Sequence, residues 1–332
     1  MSRRYLALLP LFCLLILLSC GKRGESGLKD AAVVALSGDV ESFNPIVTSS
    51  TISTKVATAL YPQMFNITFD LIAGKLIYEP ALVKRWEFLN EGRDVKLIIR
   101  NDVRWENGVL VSPQDIKFTY ELVGDPDVAS PRSNYVDDMI FTNDKFDVDK
   151  SIEILDDTTM VFHFVHTYPQ QLFHLTVPPI PKHIYKDADR RTLRAHPKNE
   201  TPLSAGPYRL EKWTRHQEIM LVANQKCTMP GPGKLQNVIF RVIQDPTTRL
   251  TELKKGTVDM MWPVYFDDIK DIQKNNPDIK LETLPPRSYE YIAWANIDFQ
   301  EYGKTAGKTI RPHRFFGDAR VRQALTYGID RK

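Results

Sequence analysis

The stretch Val238-Ile239-Phe240-Arg241-Val242-Ile243-Gln244-Asp245-Pro246-Thr247-Thr248-Arg249-Leu250-Thr251-Glu252-Leu253-Lys254-Lys255-Gly256-Thr257-Val258-Asp259-Met260-Met261 decides the class of fold. Val238, Phe240 and Val242 alternate along one face of a strand. Asp245 caps a helix whose first position is Pro246, Leu250 and Leu253 face inward, and Gly256 stops it. Residues 258–261 form a second short strand. Two strands joined by a helix of this length lie parallel with a right-handed crossover, so the chain is read as α/β.

Upstream, Ser204-Ala205-Gly206-Pro207-Tyr208 leads into strands near 208–210 and 219–221, and Pro178, Pro179 and Pro181 form a connector before His183 and Tyr185. Met160, Phe162 and Phe164 alternate with Val161, His163 and Val165, as Val95, Leu97 and Ile99 do with their neighbours; both are strand patterns. Asn107-Gly108 is a hairpin-turn signal because both residues accept positive φ. Ser112-Pro113-Gln114-Asp115 opens a helix, with Asp115 reaching back and Ile116, Tyr120 and Val123 turned to the core. An apolar run at 31–36 precedes Ser37–Pro45, where Pro45 holds Asn44 extended. The spacing of Val56, Leu60 and Met64 predicts a helix within 54–65. Downstream, residues 289–295 read as a strand ending at Asn296. Asp318 caps a helix carrying Val321, Ala324, Leu325 and Ile329, and the sequence stops inside it at Lys332, which makes a shortened chain the expectation. There is no internal repeat and no low-complexity tract.

The first residues carry a secretion signal: Arg3 and Arg4, then 14 apolar positions from Tyr5 to Leu18, then Leu17-Leu18-Ser19-Cys20. That run is shorter than the roughly 20 residues that span a bilayer, so residues 1–19 read as a cleaved leader. The segment before Cys20 resembles the bacterial lipobox. In that reading Cys20 becomes the first mature residue and carries lipid, and the glycine-rich, charged segment 20–30 is a flexible tether. Acyl chains contribute about 0.8 kcal/mol per buried CH₂, which holds the body at a membrane surface. The alternative is an ordinary leader that happens to end in cysteine.

Loss of Arg3 and Arg4 with the leader brings the formal net charge of +3 down to about +1. Nucleic-acid binding needs a concentrated basic face and is not expected. Of three cysteines, Cys13 leaves and Cys20 is lipidated, so Cys227 has no disulfide partner within the chain. The roughly 300 remaining residues suffice for two or three domains with apolar cores.

Catalytic templates fail in turn. There is no Gly-x-Ser-x-Gly elbow, phosphate-binding loop or His-Glu-x-x-His helix. His163 and His166, three apart on a strand, point to opposite faces and do not share a metal. Asp137-Asp138 and Asp267-Asp268 read as solvated charge, and Cys227 as inert, although Lys226 beside it leaves a lowered thiol pKa open. The five tryptophans read mainly as packing. What remains suits a cleft that sequesters a ligand without altering it, with no metal and no cofactor.

Several segments together resemble the family 5 extracellular solute-binding proteins of ABC importers. They are Ser42-Phe43-Asn44-Pro45; Tyr78-Glu79-Pro80-Ala81-Leu82 with Arg85-Trp86-Glu87; residues 97–108 ending in Trp105-Glu106-Asn107-Gly108; Gly206-Pro207-Tyr208; Gly256-Thr257-Val258-Asp259; and residues 321–331. The resemblance implies a periplasmic-binding-protein-like bilobed α/β fold (type II, cluster C) with an extra inserted domain, truncated here in the C-terminal lobe. Mapped onto this chain, 31–50 and 166–275 form lobe I, 51–165 the inserted domain, and 276–332 the start of lobe III. It implies ligand contacts from Thr48, Ser49, Tyr135, Trp294 and Asn296. It further implies a monomeric, membrane-anchored lipoprotein of the periplasm or cell surface that captures a small solute for an ABC permease and that is not an enzyme; an oligopeptide is the favoured solute, with nickel complexes, sugars or other small solutes as the alternatives. A sensory lipoprotein using the same cleft and a secreted hydrolase are the alternatives.

Overall fold

Strand β1 (Ala31–Leu36) opens the described chain, followed by helix α1 (Thr51–Leu60) and two hairpins, β2 (Phe65–Asp70) with β3 (Lys75–Pro80) and β4 (Val83–Leu89) with β5 (Asp94–Ile99). Helix α2 (Pro113–Gly124) precedes a small ribbon, β6 (Phe141–Thr142) with β7 (Lys145–Phe146), and strands β8 (Ile152–Ile154) and β9 (Thr159–His163). Short helical turns lead on to β10 (Tyr208–Thr214), β11 (Glu218–Ala223), β12 (Asn237–Val242), helix α3 (Pro246–Lys255), β13 (Met260–Met261) and helix α4 (Phe266–Asn275). The computed structural model describes residues 30–231, 233–282, 292–305 and 307–329; the expected leader, 1–19, and Cys20 lie outside them. Its contacts separate two units, Met1–Lys280 and Leu281–Lys332.

The first sheet has the order β10-β11-β12-β1-β13. β12 and β13 both run parallel to β1, as the strand-helix-strand reading expects, but they are not neighbours: Val34 of β1 lies opposite Phe240 on one side and Met260 on the other. β1 therefore fills the centre of the parallel segment. Asp259 extends the β1–β13 pairing beyond the two residues of β13, its N–H donating to the Val33 carbonyl and its Oδ2 accepting from the Val33 N–H, both at 2.8 Å. Strand β13 is thus shorter than the four residues predicted. Asp245 caps α3 by accepting from the Thr248 N–H at 2.7 Å, and Gly256 closes it at φ +71°, a left-handed conformation that glycine adopts without a Cβ clash.

Helix α1 departs from expectation. It starts at Thr51 under the Ser50 cap and stops at Leu60, because Tyr61 precedes Pro62 and is driven to φ −105°, ψ 148°. Met64 is fully buried, yet it leaves the helix before β2 begins. The Gly206 N–H donates to the Leu60 carbonyl at 2.8 Å, and a Cβ on Gly206 would stand 2.7 Å from the Ala59 carbonyl oxygen. Glycine at 206 therefore lets β10 start against the C-terminus of α1.

The second sheet, β4-β5-β9-β8, is antiparallel throughout. Val95, Leu97 and Ile99 are buried on one face, and α2 covers that side with Ile116, Tyr120 and Val123. Tyr120 meets Phe162 edge-on with ring centroids 5.1 Å apart. Asp115 accepts from the Ser112 N–H at 3.0 Å and from the Lys182 N–H at 2.8 Å, tying the start of α2 to the proline connector. Burial raises its carboxyl pKa, against the opposing effect of these hydrogen bonds. At the turn before α2 only Gly108 takes positive φ; Asn107 does not, so a three-residue loop replaces the two-residue turn. The Gly108 N–H donates to the Trp105 carbonyl at 2.7 Å and the Trp105 N–H to the Val109 carbonyl at 2.9 Å. Buried apolar residues from Leu36 to Met229 form one cluster that joins both sheets.

In the second unit, Asp318 caps helix α5 (Ala319–Tyr327) through the Arg320 N–H at 2.8 Å, as predicted. Residues 292–296 are not a strand, and 289–291 lie outside the described residues. Among the described residues here, pairing is limited to one bridge, Ile297 with Pro312, flanked by hydrogen bonds from the Asp298 N–H to the Arg311 carbonyl and from the His313 N–H to the Asn296 carbonyl. Pro312 has no N–H to extend a ladder.

Candidate ligand-binding site

Asn44 is fully buried after β1; its Nδ2 donates to Asn199 Oδ1 at 2.9 Å and its Oδ1 accepts from the Ile46 N–H at 3.1 Å. Three successive carbonyls then receive side-chain donors from remote segments. Ser130 Oγ donates to Ile46 at 2.6 Å, Arg194 Nη1 to Val47 at 2.5 Å, and Arg132 Nη1 to Thr48 at 2.9 Å. Arg194 also donates to the Ala129 carbonyl at 2.8 Å, joining the two clamping segments. The loop thereby becomes a fixed support for Ser49 and the start of α1.

Thr48 is 2% exposed, and its hydroxyl is occupied internally, donating to Glu41 Oε2 at 3.3 Å and accepting from the Ser50 N–H at 3.3 Å. Ser49 is exposed. Tyr135 is half-buried, stacked on His174 with centroids 5.0 Å apart and tilted against Phe173. Burial raises its phenol pKa while the Arg132 charge opposes that, so ring and guanidinium share one neighbourhood. His174 in turn is hydrogen-bonded through Nδ1 to the Tyr168 hydroxyl at 2.8 Å, and burial lowers its pKa. Thr48, Ser49 and Tyr135 are thus linked through Arg132. Trp294 and Asn296 belong to the second unit, where Trp294 packs on Phe316 at 5.4 Å and the Asn296 carbonyl accepts from the His313 N–H at 3.0 Å.

Sequence reasoning missed a second group. In open α/β sheets, ligands lie beyond the carboxyl ends of the parallel strands. Here those ends are Leu36, Val242 and Met261, and the residue directly after β13 is Trp262. The Lys55 ammonium, on α1, lies 3.0 Å from the Trp262 ring centroid. Arg249, 2% exposed, donates to the Ile243 and Gln244 carbonyls at 2.7 and 2.8 Å and fixes the turn after β12. Neither Lys55 nor Arg132 nor Arg194 fits a sequence motif; the strand-end position of Trp262 was the one available signal.

The residues weighed for chemistry are held apart. His163 pairs with Asp94 at 2.9 Å and His166 with Asp138 at 3.3 Å. Among the described residues no group of three or more His, Cys, Asp or Glu is placed to hold a metal ion. Burial raises the Cys227 thiol pKa, opposite to the lowering left open from sequence. Two surface concavities, one along residues 200–202 and 210–213 and one along Arg209 and residues 222–226, include none of the expected ligand contacts.

Residues 78–332 match the bacterial extracellular solute-binding proteins, family 5, middle region. The chain belongs to this family. Family 5 members are transporter substrate-binding proteins found outside the cytoplasm, not enzymes. This family 5 chain is 25% identical to the oligopeptide-binding protein AppA of Bacillus subtilis, in an alignment covering 100% of this chain and 58% of AppA. It is 24% identical to the heme-binding protein A of Haemophilus influenzae, covering 81% of this chain and 48% of that protein. Among solved structures, Campylobacter jejuni NikZ in complex with Ni(L-His) superposes with a TM-score of 0.68 at 21% identity, over 91% of this chain and 54% of NikZ. The family 5 chain thus has the periplasmic-binding-protein-like α/β fold, and it spans about half the length of these relatives.

Proposed function

We propose that this chain supplies the ligand-gripping face of lobe I, the inserted domain and the start of lobe III in an extracytoplasmic substrate-binding lipoprotein, anchored through Cys20, that captures an oligopeptide for an ABC importer. The observation that carries the reading is the family match over residues 78–332. The lobe I stretches, 31–50 and 166–275, contain every strand of the first sheet, and 51–165 contains every strand of the second, which supports that division. AppA, aligned over the whole chain, is named for oligopeptides, which favours peptide over heme or a nickel complex.

Capture works by closure. A ligand that touches both lobes gains contacts in the closed state that the open state lacks, and the population moves toward closure. Ser49 and Trp262 offer the lobe I contacts, a hydroxyl and an indole face. Tyr135 adds a phenol from the inserted domain, and Trp294 and Asn296 are the contacts assigned to the lobe III segment. Thr48 serves through its backbone and its place in the clamped loop, since its hydroxyl is already bonded. No bond of the solute is made or broken; the protein acts as a monomer and delivers its load to a permease.

Native mass spectrometry of the protein purified from its own host tests this. Peptide masses released on denaturation support it. Recovery of a heme, a metal complex or a sugar instead removes the peptide assignment, and turnover of an added peptide removes the binding role.

A further inference from the structure

We infer that Lys55, seated on the face of Trp262, makes this site favour ligands that bring a carboxylate or other anionic group beside that ring and disfavour those that bring a cation. The inference rests on the ligand-binding reading above and adds the charge class of the ligand to it.

An indole face carries negative electrostatic potential and is a natural seat for a ligand cation. In this chain the seat is taken by the Lys55 ammonium, 3.0 Å from the ring centroid. Lys55 lies on the exposed side of α1, between the buried Ser53 and Val56. Its pKa is lowered by partial burial, with no anionic neighbour acting to raise it. Among the described residues, no carboxylate pairs with it. The acids on the loop leading into α1 are engaged elsewhere. Glu41 accepts from the Thr48 hydroxyl, and Asp39 from Trp213 Nε1 at 3.0 Å and the His216 N–H at 2.7 Å. The first turn of α1 contains no acidic side chain, and Arg132 and Arg194, which clamp the same loop, bond to backbone carbonyls.

A ligand cation approaching Trp262 would have to displace Lys55 and lie against a like charge. A ligand anion meets an ammonium already held in position, so little side-chain freedom is lost on pairing. The indole then serves as an apolar floor under the ion pair and keeps water from one side of it.

The test is calorimetric titration of the whole binding protein that carries this chain with tetra-alanine peptides in which one glutamate, glutamine or lysine is moved through each position. We expect at least one position where glutamate binds roughly fivefold or more tightly than glutamine, with lysine weaker than both. Lys55→Met should erase that ratio, Lys55→Glu should invert it, and Lys55→Arg should retain it, with circular dichroism confirming the fold of each. Glutamine peptides that bind with no charge preference, or a preference that survives in Lys55→Met, overturn the inference and leave peptide binding standing. Failure of every peptide in the set to bind overturns the peptide reading and this inference together.

Discussion

At the scale of single residues, the loop after β1 owes its shape to donors far away in sequence. The carbonyls of Ile46, Val47 and Thr48 have no ladder partner, and unpaired carbonyls in a part-buried loop are costly. Ser130, Arg194 and Arg132 satisfy them one each. Arg132→Met and Arg194→Met should each lower unfolding free energy by about 1–3 kcal/mol in denaturant titration, since each leaves an acceptor unpaired. The proteins should stay folded, with weaker ligand binding because Ser49 loses its support. Unchanged stability in both variants would show that the clamp does no such work. A second residue-scale prediction concerns Asp147, which accepts from Thr142 Oγ1 at 2.7 Å and from the Lys150 N–H at 3.1 Å. The Thr142 hydrogen bond, then those from Lys150, hold its carboxyl pKa at about 2, below the ordinary 3.8. The folded state therefore binds fewer protons than the unfolded chain in that interval. The stabilisation is complete above about pH 4 and is lost as pH falls toward about 2. The difference in thermal midpoint between the native protein and Asp147→Asn should be constant at neutral pH and should vanish over that acid interval.

At the scale of elements, the close approach of α1 and β10 depends on one missing side chain. Gly206→Ala would place a Cβ 2.7 Å from the Ala59 carbonyl oxygen, against helix backbone that has no rotamer by which to yield. The expected cost is about 1–3 kcal/mol, measured as a shift in the denaturant midpoint. A neutral substitution would mean that the strand start and the helix end can separate freely. The same junction explains why the α1 reading ran too long. The 3.6-residue spacing of Val56, Leu60 and Met64 is genuine as a burial pattern, but Pro62 ends the helix before Met64, which reaches the core from extended backbone. Periodicity reports which side is buried; the backbone restriction at Tyr61 decides what conformation buries it.

At the scale of the whole molecule, the cluster of buried apolar residues ends at Met229 and lies within the first unit, Met1–Lys280. Residues 30–280 expressed alone should unfold in one cooperative thermal transition, whereas a broad, non-cooperative melt would show that the remaining chain is needed for that core. Much of the architecture was legible in the order of residues because it depends on neighbours. Strand alternation at 95–99 and 160–164, the Asp245 and Asp318 caps, the Gly256 stop and the Asp115 reach-back each involve groups a few positions apart, whose geometry is set as soon as the local backbone is. The tertiary structure alone decided that β1 separates β12 from β13, that Arg132 and Arg194 grip the loop before α1, and that Lys55 covers Trp262. Those contacts join segments distant in the chain, and nothing in the period of either segment encodes its partner. They arise only when burial and hydrogen bonding are satisfied for the assembled body at once.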